Sequence, residues 1–347
     1  MALIGIARLA SQSQLLEAKR SVEYFEIPAR SILNRTKPNM PFRWTINPYR
    51  GCEFGCKYCY ARYAHEYMEL DAADFERRIY AKTAAAHLLR QELAGIDRRD
   101  HIAIGTATDP YQPAERRFER TRSILEVFAR EKGWHVGLVT KSNLVLRDVD
   151  LLREVARANV LGVSLTITTL DEKLARMLEP QAPRPALRLE TVRRLFAAGL
   201  CVSVMPNPIM PGLTDSERDL DRLARAAREA GALSFGGGPL FLVPSAQKIF
   251  FPFLEREFPE LAPRYRALYE KSAYLGRAYK DALSERVQRI RDRYGLASGP
   301  IEYRPEVWVE EQGELFSLGD SGRALGGFGR ALGGFSRALG GFSRALQ

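Results

Sequence analysis

The chain has 347 residues, a formal net charge of +10 at neutral pH, and 46% hydrophobic and 27% charged residues. This composition is typical of a soluble globular protein, and the sequence contains no apolar run of about eighteen residues that would predict a membrane-spanning helix. The positive surplus is compatible with a nucleic-acid partner, but an arginine-rich solvated surface explains it equally well.

Short apolar segments alternate with amphipathic helical stretches from residue 42 onwards. The predicted strands are at 42–48, 101–106, 135–140, 160–168, 201–205 and 232–243. The predicted helices between them are at 74–94, 114–131, 145–158, 171–178, 186–198 and 214–230. Strands that alternate with helices form parallel βαβ units. We therefore expect an α/β fold with six parallel strands, followed by helices over 244–294 and an extended arm over 301–318.

The last 27 residues repeat with a period of seven, as in Arg-Ala-Leu-Gly-Gly-Phe-Ser. Leucine and phenylalanine alternate three and four residues apart, which is a helical spacing. Each heptad also carries two or more glycines, and each glycine costs a helix about 1 kcal/mol. We interpret the segment as a disordered tail. Helix formation on a partner, or a slipped DNA repeat without function, are the alternatives.

Cysteine placement carries most of the chemical information in the sequence. Cys52, Cys56 and Cys59 form the pattern C-x3-C-x2-C, with Tyr58 before the third cysteine. Three thiolates on one loop can hold three irons of a cubane cluster and leave the fourth iron open to a ligand. A closed zinc site needs a fourth protein ligand, for which His65 is a candidate, but zinc ligands usually come as two separated pairs. A zinc-binding nucleic-acid module is therefore the less favoured alternative.

The placement of the cysteines also indicates the cellular compartment of the protein. Three of the four cysteines lie in one loop, which does not suggest a disulfide framework and is typical of a protein from the reducing cytoplasm. Residues 1–10 lack the basic leader and long apolar stretch of a signal peptide. The sequence contains no second group of cysteines, so we expect no auxiliary iron–sulfur centre.

The cysteine loop resembles that of the radical S-adenosylmethionine (SAM) superfamily, which reads C-x3-C-x-aromatic-C. Residues 47–62 (Asn-Pro-Tyr-Arg-Gly-Cys-Glu-Phe-Gly-Cys-Lys-Tyr-Cys-Tyr-Ala-Arg), 108–112 (Thr-Asp-Pro-Tyr-Gln) and 140–142 (Thr-Lys-Ser) look like the branch related to spore photoproduct lyase. The resemblance extends from about residue 35 to about residue 243. It implies a partial (β/α)6 barrel of the radical SAM type, with the cluster loop after the first strand.

The resemblance also implies a reaction. A [4Fe-4S] cluster on Cys52, Cys56 and Cys59 would cleave SAM reductively to a 5′-deoxyadenosyl radical, which abstracts hydrogen from a substrate that the sequence does not name. The implied partners are an electron donor such as flavodoxin or ferredoxin and, compatible with the charge, a nucleic-acid substrate. An iron–sulfur scaffold or redox-sensing protein without SAM turnover is the alternative from another class.

SAM contacts are expected at the carboxyl ends of the strands, where such barrels place their chemistry. The residues expected to bind cofactor there are Tyr58, Thr106, Thr108, Asp109, Lys141, Ser164 and Thr166. Lys141 can pair with the SAM carboxylate as a point charge. Many members of the superfamily have a Gly-Gly-Glu signature at the end of the second strand, whereas this chain has Thr106, Thr108 and Asp109.

One departure from the branch concerns the hydrogen donor. Spore photoproduct lyase has a cysteine near the end of the second strand, and Thr106 occupies that position here. Cys201 begins the fifth strand, and five residues at roughly 3.3 Å each put it about 17 Å from the catalytic face. Direct repair of spore photoproduct is therefore not expected.

The predicted organisation has four segments. These are an amino-terminal arm over 1–34, the radical SAM partial barrel over 35–243, a helical carboxyl-terminal extension and arm over 244–320, and the repeat tail over 321–347.

Overall fold

Two β-sheets organise the protein, whose structure is a computed structural model that describes residues 3–19, 22–38, 40–299 and 301–308. One compact unit extends to Glu306. The predicted repeat tail, 321–347, and most of the predicted arm over 301–318 lie outside the described residues. In chain order the strands are β1 Leu15–Lys19, β2 Val22–Ile27, β3 Leu33–Arg35, β4 Trp44–Ile46, β5 Tyr49–Arg50, β6 Arg78–Lys82, β7 His101–Ile104, β8 His135–Thr140, β9 Val160–Thr166, β10 Cys201–Met205 and β11 Ser234–Phe235.

The larger sheet has seven strands in the order β11-β10-β9-β8-β7-β4-β3. All neighbours from β11 to β4 pair in parallel, and the edge strand β3 is antiparallel to β4. These six parallel strands are the six that the sequence predicts, and β8 and β10 have the predicted bounds. The predicted α/β architecture of a partial barrel is thereby confirmed, and the two edges of the sheet are β3 and β11.

Helices connect the parallel strands, as βαβ units require. In chain order the helices are α1 Gly5–Ser11, α2 Tyr63–Glu66, α3 Ala85–Leu93, α4 Glu115–Phe118, α5 Arg120–Ala129, α6 Val149–Ala158, α7 Glu172–Leu178, α8 Pro185–Ala197, α9 Glu217–Glu229, α10 Pro244–Glu257, α11 Ala262–Tyr269 and α12 Arg277–Tyr294. None of the helices in the described part of the chain combines the length and the apolar character needed to span a bilayer.

The two faces of the larger sheet differ in side-chain volume. One face carries fully buried apolar residues such as Leu138, Leu165 and Val204, which belong to the same core as Phe128 of α5 and Leu152 of α6. Alternate residues of a strand point to the opposite face. On that face the strands carry Ala103, Gly137, Ser164, Thr166 and Ser203. Val139 and Met205 also belong to this face, which is therefore more polar and less bulky than the core face.

The predicted helix over 74–94 is wrong in its first half. Residues 72–76 form a 3-10 turn, β6 follows at Arg78–Lys82, and the helix α3 begins only at Ala85. β6 pairs in parallel with β2 and antiparallel with β5, in a second sheet of order β1-β2-β6-β5. Pairing with a strand far away in sequence overrides the local helical pattern. The predicted amino-terminal arm thus contributes β1, β2 and β3 to the two sheets.

Candidate active site

The cysteine loop follows β5 and begins with a glycine that the fold requires. Gly51 has a φ of +81°, and a Cβ there would lie 2.6 Å from the Arg78 carbonyl oxygen and 2.8 Å from that of Phe75. The Cys52 N–H donates to the same Phe75 carbonyl at 2.9 Å. The loop therefore starts where two backbone segments approach closely, and only glycine fits between them.

The segment after β7 holds the loop from the other side. Thr108 donates its hydroxyl to the Gly51 carbonyl at 2.7 Å, and the Gln112 amide donates to the same oxygen at 3.1 Å. Gln112 also accepts the Glu53 N–H at 3.0 Å. Thr108 thus positions the cysteine loop, and its direct contact with SAM stays a prediction. Gln112 carries no signal in the sequence beyond its place in the motif at 108–112.

All three loop cysteines lie in an apolar cluster, and Cys52 and Cys56 are each 8% exposed. Burial raises the pKa of all three thiols, that of Cys56 to about 12. Without a metal the thiols are therefore protonated at neutral pH, and a bound metal centre is what would stabilise the thiolates.

Charge and polar backbone groups near two of the thiols work against the effect of burial. Burial raises the pKa of Cys59, and the Arg62 guanidinium lowers it. Burial also raises the pKa of Cys52, and the backbone of Phe54 and Asp109 lowers it. Positive charge and polar groups around cysteine ligands tune the reduction potential of an iron–sulfur cluster.

His65 is not placed to act as the fourth ligand of a zinc ion on the cysteine loop. Its ring is fully buried, its Nε2 pairs with the Arg78 carbonyl oxygen at 3.0 Å, and the ring packs edge-on against Phe75 and Tyr80. Burial lowers the pKa of His65 to about 4, so the imidazole is neutral at physiological pH. These contacts give His65 a packing role and weigh against the Cys3His zinc alternative.

Asp109 connects the end of β7 to the end of β8. One carboxylate oxygen accepts the Thr140 hydroxyl at 2.6 Å and the Tyr111 N–H at 2.9 Å, and the other accepts the Lys141 N–H at 2.7 Å. Burial raises the pKa of Asp109, against the effect of these hydrogen bonds. With both oxygens engaged, Asp109 positions Lys141, and its predicted role as a cofactor contact stays a prediction.

Replacing Asp109 with asparagine is expected to destabilise the fold by about 1–3 kcal/mol. In either orientation the new NH2 group faces a backbone N–H, that of Lys141 or that of Tyr111, so one buried hydrogen bond is lost. Chemical denaturation measures the change in free energy of unfolding. Asp150→Asn, at an exposed position of α6, is the matched control and should stay within about 0.5 kcal/mol of the parent. Equal effects of the two changes would contradict this reading.

Lys141 and Tyr58, both predicted to bind cofactor, come together beside the cysteines. The Lys141 ammonium lies 6.0 Å from the centre of the Tyr58 ring. Burial lowers the pKa of Lys141, but the nearby Cys56 and Glu179 outweigh it, and the pKa is raised above its usual value. A fixed positive charge therefore lies near the cysteine loop, where an anionic group of a ligand would be favoured.

A buried ion pair, which the sequence pattern does not reveal, lies beside Tyr58 and supports the cysteine loop. Glu179, between α7 and α8, lies 2.5 Å from the Arg188 guanidinium, and both side chains are 1% exposed. Glu179 also accepts hydrogen bonds from the Tyr58 and Thr168 hydroxyls. Burial would raise the pKa of Glu179, but Arg188 and Lys141 together lower it. The pair joins the cysteine loop to the end of β9.

The Arg188 guanidinium also donates to two backbone carbonyl oxygens, that of Pro183 at 2.7 Å and that of Thr166 at 3.0 Å.

Ser164 and Thr166 share the polar face of β9, as their spacing predicts, and their contact with SAM stays a prediction. Cys201 lies at the first position of β10, and burial raises the pKa of its thiol.

The sequence matches the family model of the radical SAM superfamily over residues 46–240. The chain belongs to the radical SAM superfamily. The uncharacterized protein Rv2578c of Mycobacterium tuberculosis is 38% identical to it over 307 residues, which cover 87% of this chain and 88% of that protein. The uncharacterized protein MJ0683 of Methanocaldococcus jannaschii is 28% identical over 258 residues, 73% of this chain and 89% of the relative.

Solved structures of spore photoproduct lyase have a similar fold. A variant with bound AdoMet and dinucleoside spore photoproduct superimposes with a TM-score of 0.59 at 14% sequence identity, over 78% of this radical SAM protein and 79% of that chain. The complex of the lyase with dinucleoside spore photoproduct gives a TM-score of 0.58, also at 14% identity. The predicted superfamily is thus confirmed, and the structural likeness concerns the fold.

Membership of the superfamily makes the chain a radical SAM enzyme, for which an iron–sulfur cluster and SAM are the implied cofactors and a reductant is required. The residues present fit this requirement. Three thiols, two of them buried and one half-buried, occupy one loop, and a lysine ammonium lies nearby.

Proposed function

We propose that this protein is a cytoplasmic [4Fe-4S] radical SAM enzyme that acts on a nucleic acid. When bound, the cluster and SAM supply the chemistry: one electron from a flavodoxin or ferredoxin breaks a carbon–sulfur bond of the sulfonium and gives methionine and a 5′-deoxyadenosyl radical, which removes a hydrogen atom from the substrate. Cys52, Cys56 and Cys59 would hold three irons and leave the fourth for SAM.

The other residues would bind and orient the cofactor. Lys141 would place its ammonium against the SAM carboxylate, with the Tyr58 ring 6.0 Å from that ammonium. Ser164 and Thr166 would contact SAM from the polar face of β9. The remaining predicted contacts, Thr106, Thr108 and Asp109, lie on the segment that holds the cysteine loop and β8 in place.

A row of aromatic rings beside the cysteine loop carries the proposal of a nucleic-acid substrate. We call it the aromatic row, and its members are Tyr60, Tyr63, Tyr67, Phe241 and Tyr274. Its middle member is Tyr60, which directly follows Cys59 and donates its hydroxyl to the Thr106 carbonyl at the end of β7. The row therefore connects the surface of the protein to the site.

Neighbouring rings of the row contact one another, either stacked, tilted or edge-on. Phe241 is 4.9 Å from Tyr60, and Tyr274 stacks on Phe241 at 5.4 Å with an interplanar angle of 9°. In the other direction Tyr63 is 6.3 Å from Tyr60, and Tyr67 is 5.5 Å from Tyr63. The outer members are open to solvent: Tyr67 is 69% exposed and Tyr274 is 61% exposed.

Exposed aromatic rings in series bind single-stranded nucleic acid, because each base can stack on a ring at a gain of about 1–3 kcal/mol. Arg50, next to the cysteine loop, is close enough to Tyr63 to interact with it electrostatically. Together with the net charge of +10, this favours a polyanion over a neutral or acidic peptide. A single strand, or an unpaired base, could then reach the site.

The test uses the full chain with its cluster reconstituted anaerobically, together with dithionite and SAM. We expect 5′-deoxyadenosine to form, and single-stranded DNA or RNA oligonucleotides to bind and to change its rate of formation. Tyr274→Ala should weaken oligonucleotide binding about tenfold, since it removes one stacking ring. Fluorescence anisotropy measures the binding, and chromatography measures the nucleoside.

Leu187→Ala is the control, because Leu187 is a 48% exposed apolar residue on α8 outside the aromatic row. It should bind oligonucleotides as the parent does. If the loaded protein makes 5′-deoxyadenosine but binds no oligonucleotide, the enzyme has another substrate class. If it makes none, with or without oligonucleotides, the proposed SAM cleavage is wrong.

A further inference from the structure

A group of potential metal ligands lies at the opposite ends of the strands from the cysteine loop. His101 is the first residue of β7, and His135 is the first residue of the neighbouring parallel strand β8. The two residues are paired in register, and their ring centres are 4.8 Å apart with an interplanar angle of 37°. The cysteine loop and its supporting residues gather at the carboxyl ends of the same strands.

A carboxylate reaches these two histidines from the carboxyl-terminal part of the chain. After α12, Ala297 forms a parallel bridge with Ser234 of β11. Further on, the Tyr303 hydroxyl accepts the Leu161 N–H at 2.9 Å and donates to the Asn159 carbonyl at 3.0 Å. These contacts hold the segment across the amino ends of the strands, and they bring its Glu302 to the histidine pair.

One nitrogen of each imidazole and one carboxylate oxygen of Glu302 all lie within 4.8 Å of one another. In the part of the chain that the structure describes, this is the one group of three histidine, cysteine, aspartate or glutamate side chains that meets this distance. Two imidazoles and one carboxylate are the ligand set of open zinc sites and of other divalent first-row metal sites. Bonds from zinc to nitrogen and oxygen are about 2.0–2.2 Å long, so the three side chains would draw together around an ion.

We propose that His101, His135 and Glu302 bind one divalent transition-metal ion, Zn²⁺ being the best match to this ligand set. Three protein ligands leave a fourth position of a tetrahedral ion open for water. Glu302 is exposed, so the ligand group is open to solvent. A cavity of about 210 Å³ also borders His101, next to Phe42, Arg43 and Asp100.

The consequence of the site is a link between distant parts of the chain. The ion would connect β7 and β8 to the segment that follows α12, and so close the amino end of the sheet. Because the ion binds the folded chain and not the unfolded one, it should stabilise the protein according to its free concentration. This site is separate from the cysteine loop, so it does not depend on the proposed function.

The test compares zinc and iron content in the full-length protein with its cluster in place, so that the cysteines are not available to zinc. The protein is treated with a chelator, titrated with Zn²⁺, and analysed by elemental mass spectrometry and thermal unfolding. We expect one zinc per chain in addition to the iron, and a melting temperature that rises with zinc. Glu302→Gln and His135→Ala should lose both effects while keeping the iron.

His87→Ala is the matched control, because His87 is an exposed histidine on α3 outside this group. It should bind zinc as the parent does. The proposal is overturned if the parent takes up no zinc, or if Glu302→Gln binds zinc with unchanged affinity. Glu302 is exposed, so this variant remains informative even if His135→Ala does not fold.

Discussion

Cys56→Ala is expected to abolish both the iron–sulfur cluster and the formation of 5′-deoxyadenosine. Cys56 lies in the middle of the C-x3-C-x2-C loop, and its buried thiol is next to those of Cys52 and Cys59. Two thiolates do not hold three irons of a cubane, and the protein without its cluster has no route for the electron. We expect the rate of nucleoside formation to fall by more than about 100-fold, because the group that carries the chemistry is lost. Iron analysis and chromatography measure the two effects.

Cys201→Ala serves as the control for this change. Cys201 is also a partly buried cysteine, but it starts β10, and the cysteine loop lies beyond the other end of the sheet strands. It should keep the iron content and the yield of the parent. Cys56→Ala protein that keeps its full iron content, or that still makes 5′-deoxyadenosine, would show that the cluster ligands have been assigned wrongly.

The six parallel strands of the larger sheet could be predicted because each of them leaves a local signal. β8, β9 and β10 are short runs rich in β-branched and apolar residues, each followed by polar or turn-forming residues. The cluster ligands could be predicted for a similar reason, since a loop that holds one cluster must bring its cysteines close together in sequence. In both cases the contacts that matter are encoded within ten residues.

Features built from distant segments left no such signal. β6 became a strand because β2, more than fifty residues earlier, pairs with it, and the local pattern there reads as a helix. The aromatic row joins residues 60–67 to Phe241 and Tyr274. The metal-ligand group likewise joins two strand ends to Glu302. Such sites become visible only when the fold is known.

The Glu179–Arg188 pair belongs to the same class. Nine residues separate its partners, which is neither a helical nor a strand spacing, and both residue types are usually exposed. Nothing in the local sequence marks them as buried. The structure shows why they are tolerated: the Tyr58 and Thr168 hydroxyls and two backbone carbonyls satisfy the remaining polar atoms around the pair.

Arg188→Met is expected to lower the free energy of unfolding by about 3–5 kcal/mol, because it leaves the Glu179 carboxylate buried without its partner. Since Glu179 accepts the Tyr58 hydroxyl, the loss should also reach the cysteine loop, and the variant should retain less iron after reconstitution. Chemical denaturation gives the stability, and iron analysis gives the second readout. Adding Glu179→Gln removes the unpaired charge but keeps its hydrogen-bond acceptor, so the double variant should recover part of the stability.

A second arginine of α8 provides a control that separates the effect of burial from that of the substitution itself. Arg193 of α8 pairs with Glu190 at the surface, where the two side chains are 57% and 50% exposed. Arg193→Met makes the same chemical change in water, and an exposed pair is worth about 0–1 kcal/mol. If Arg188→Met costs no more than Arg193→Met, or if it leaves iron retention unchanged, the buried pair does not support the cluster loop. A large difference between the two variants, in both the free energy of unfolding and iron retention, would show the opposite. The Glu179 carboxylate, 1% exposed beside Tyr58, would then contribute both to the stability of the barrel and to the structure of its cofactor site.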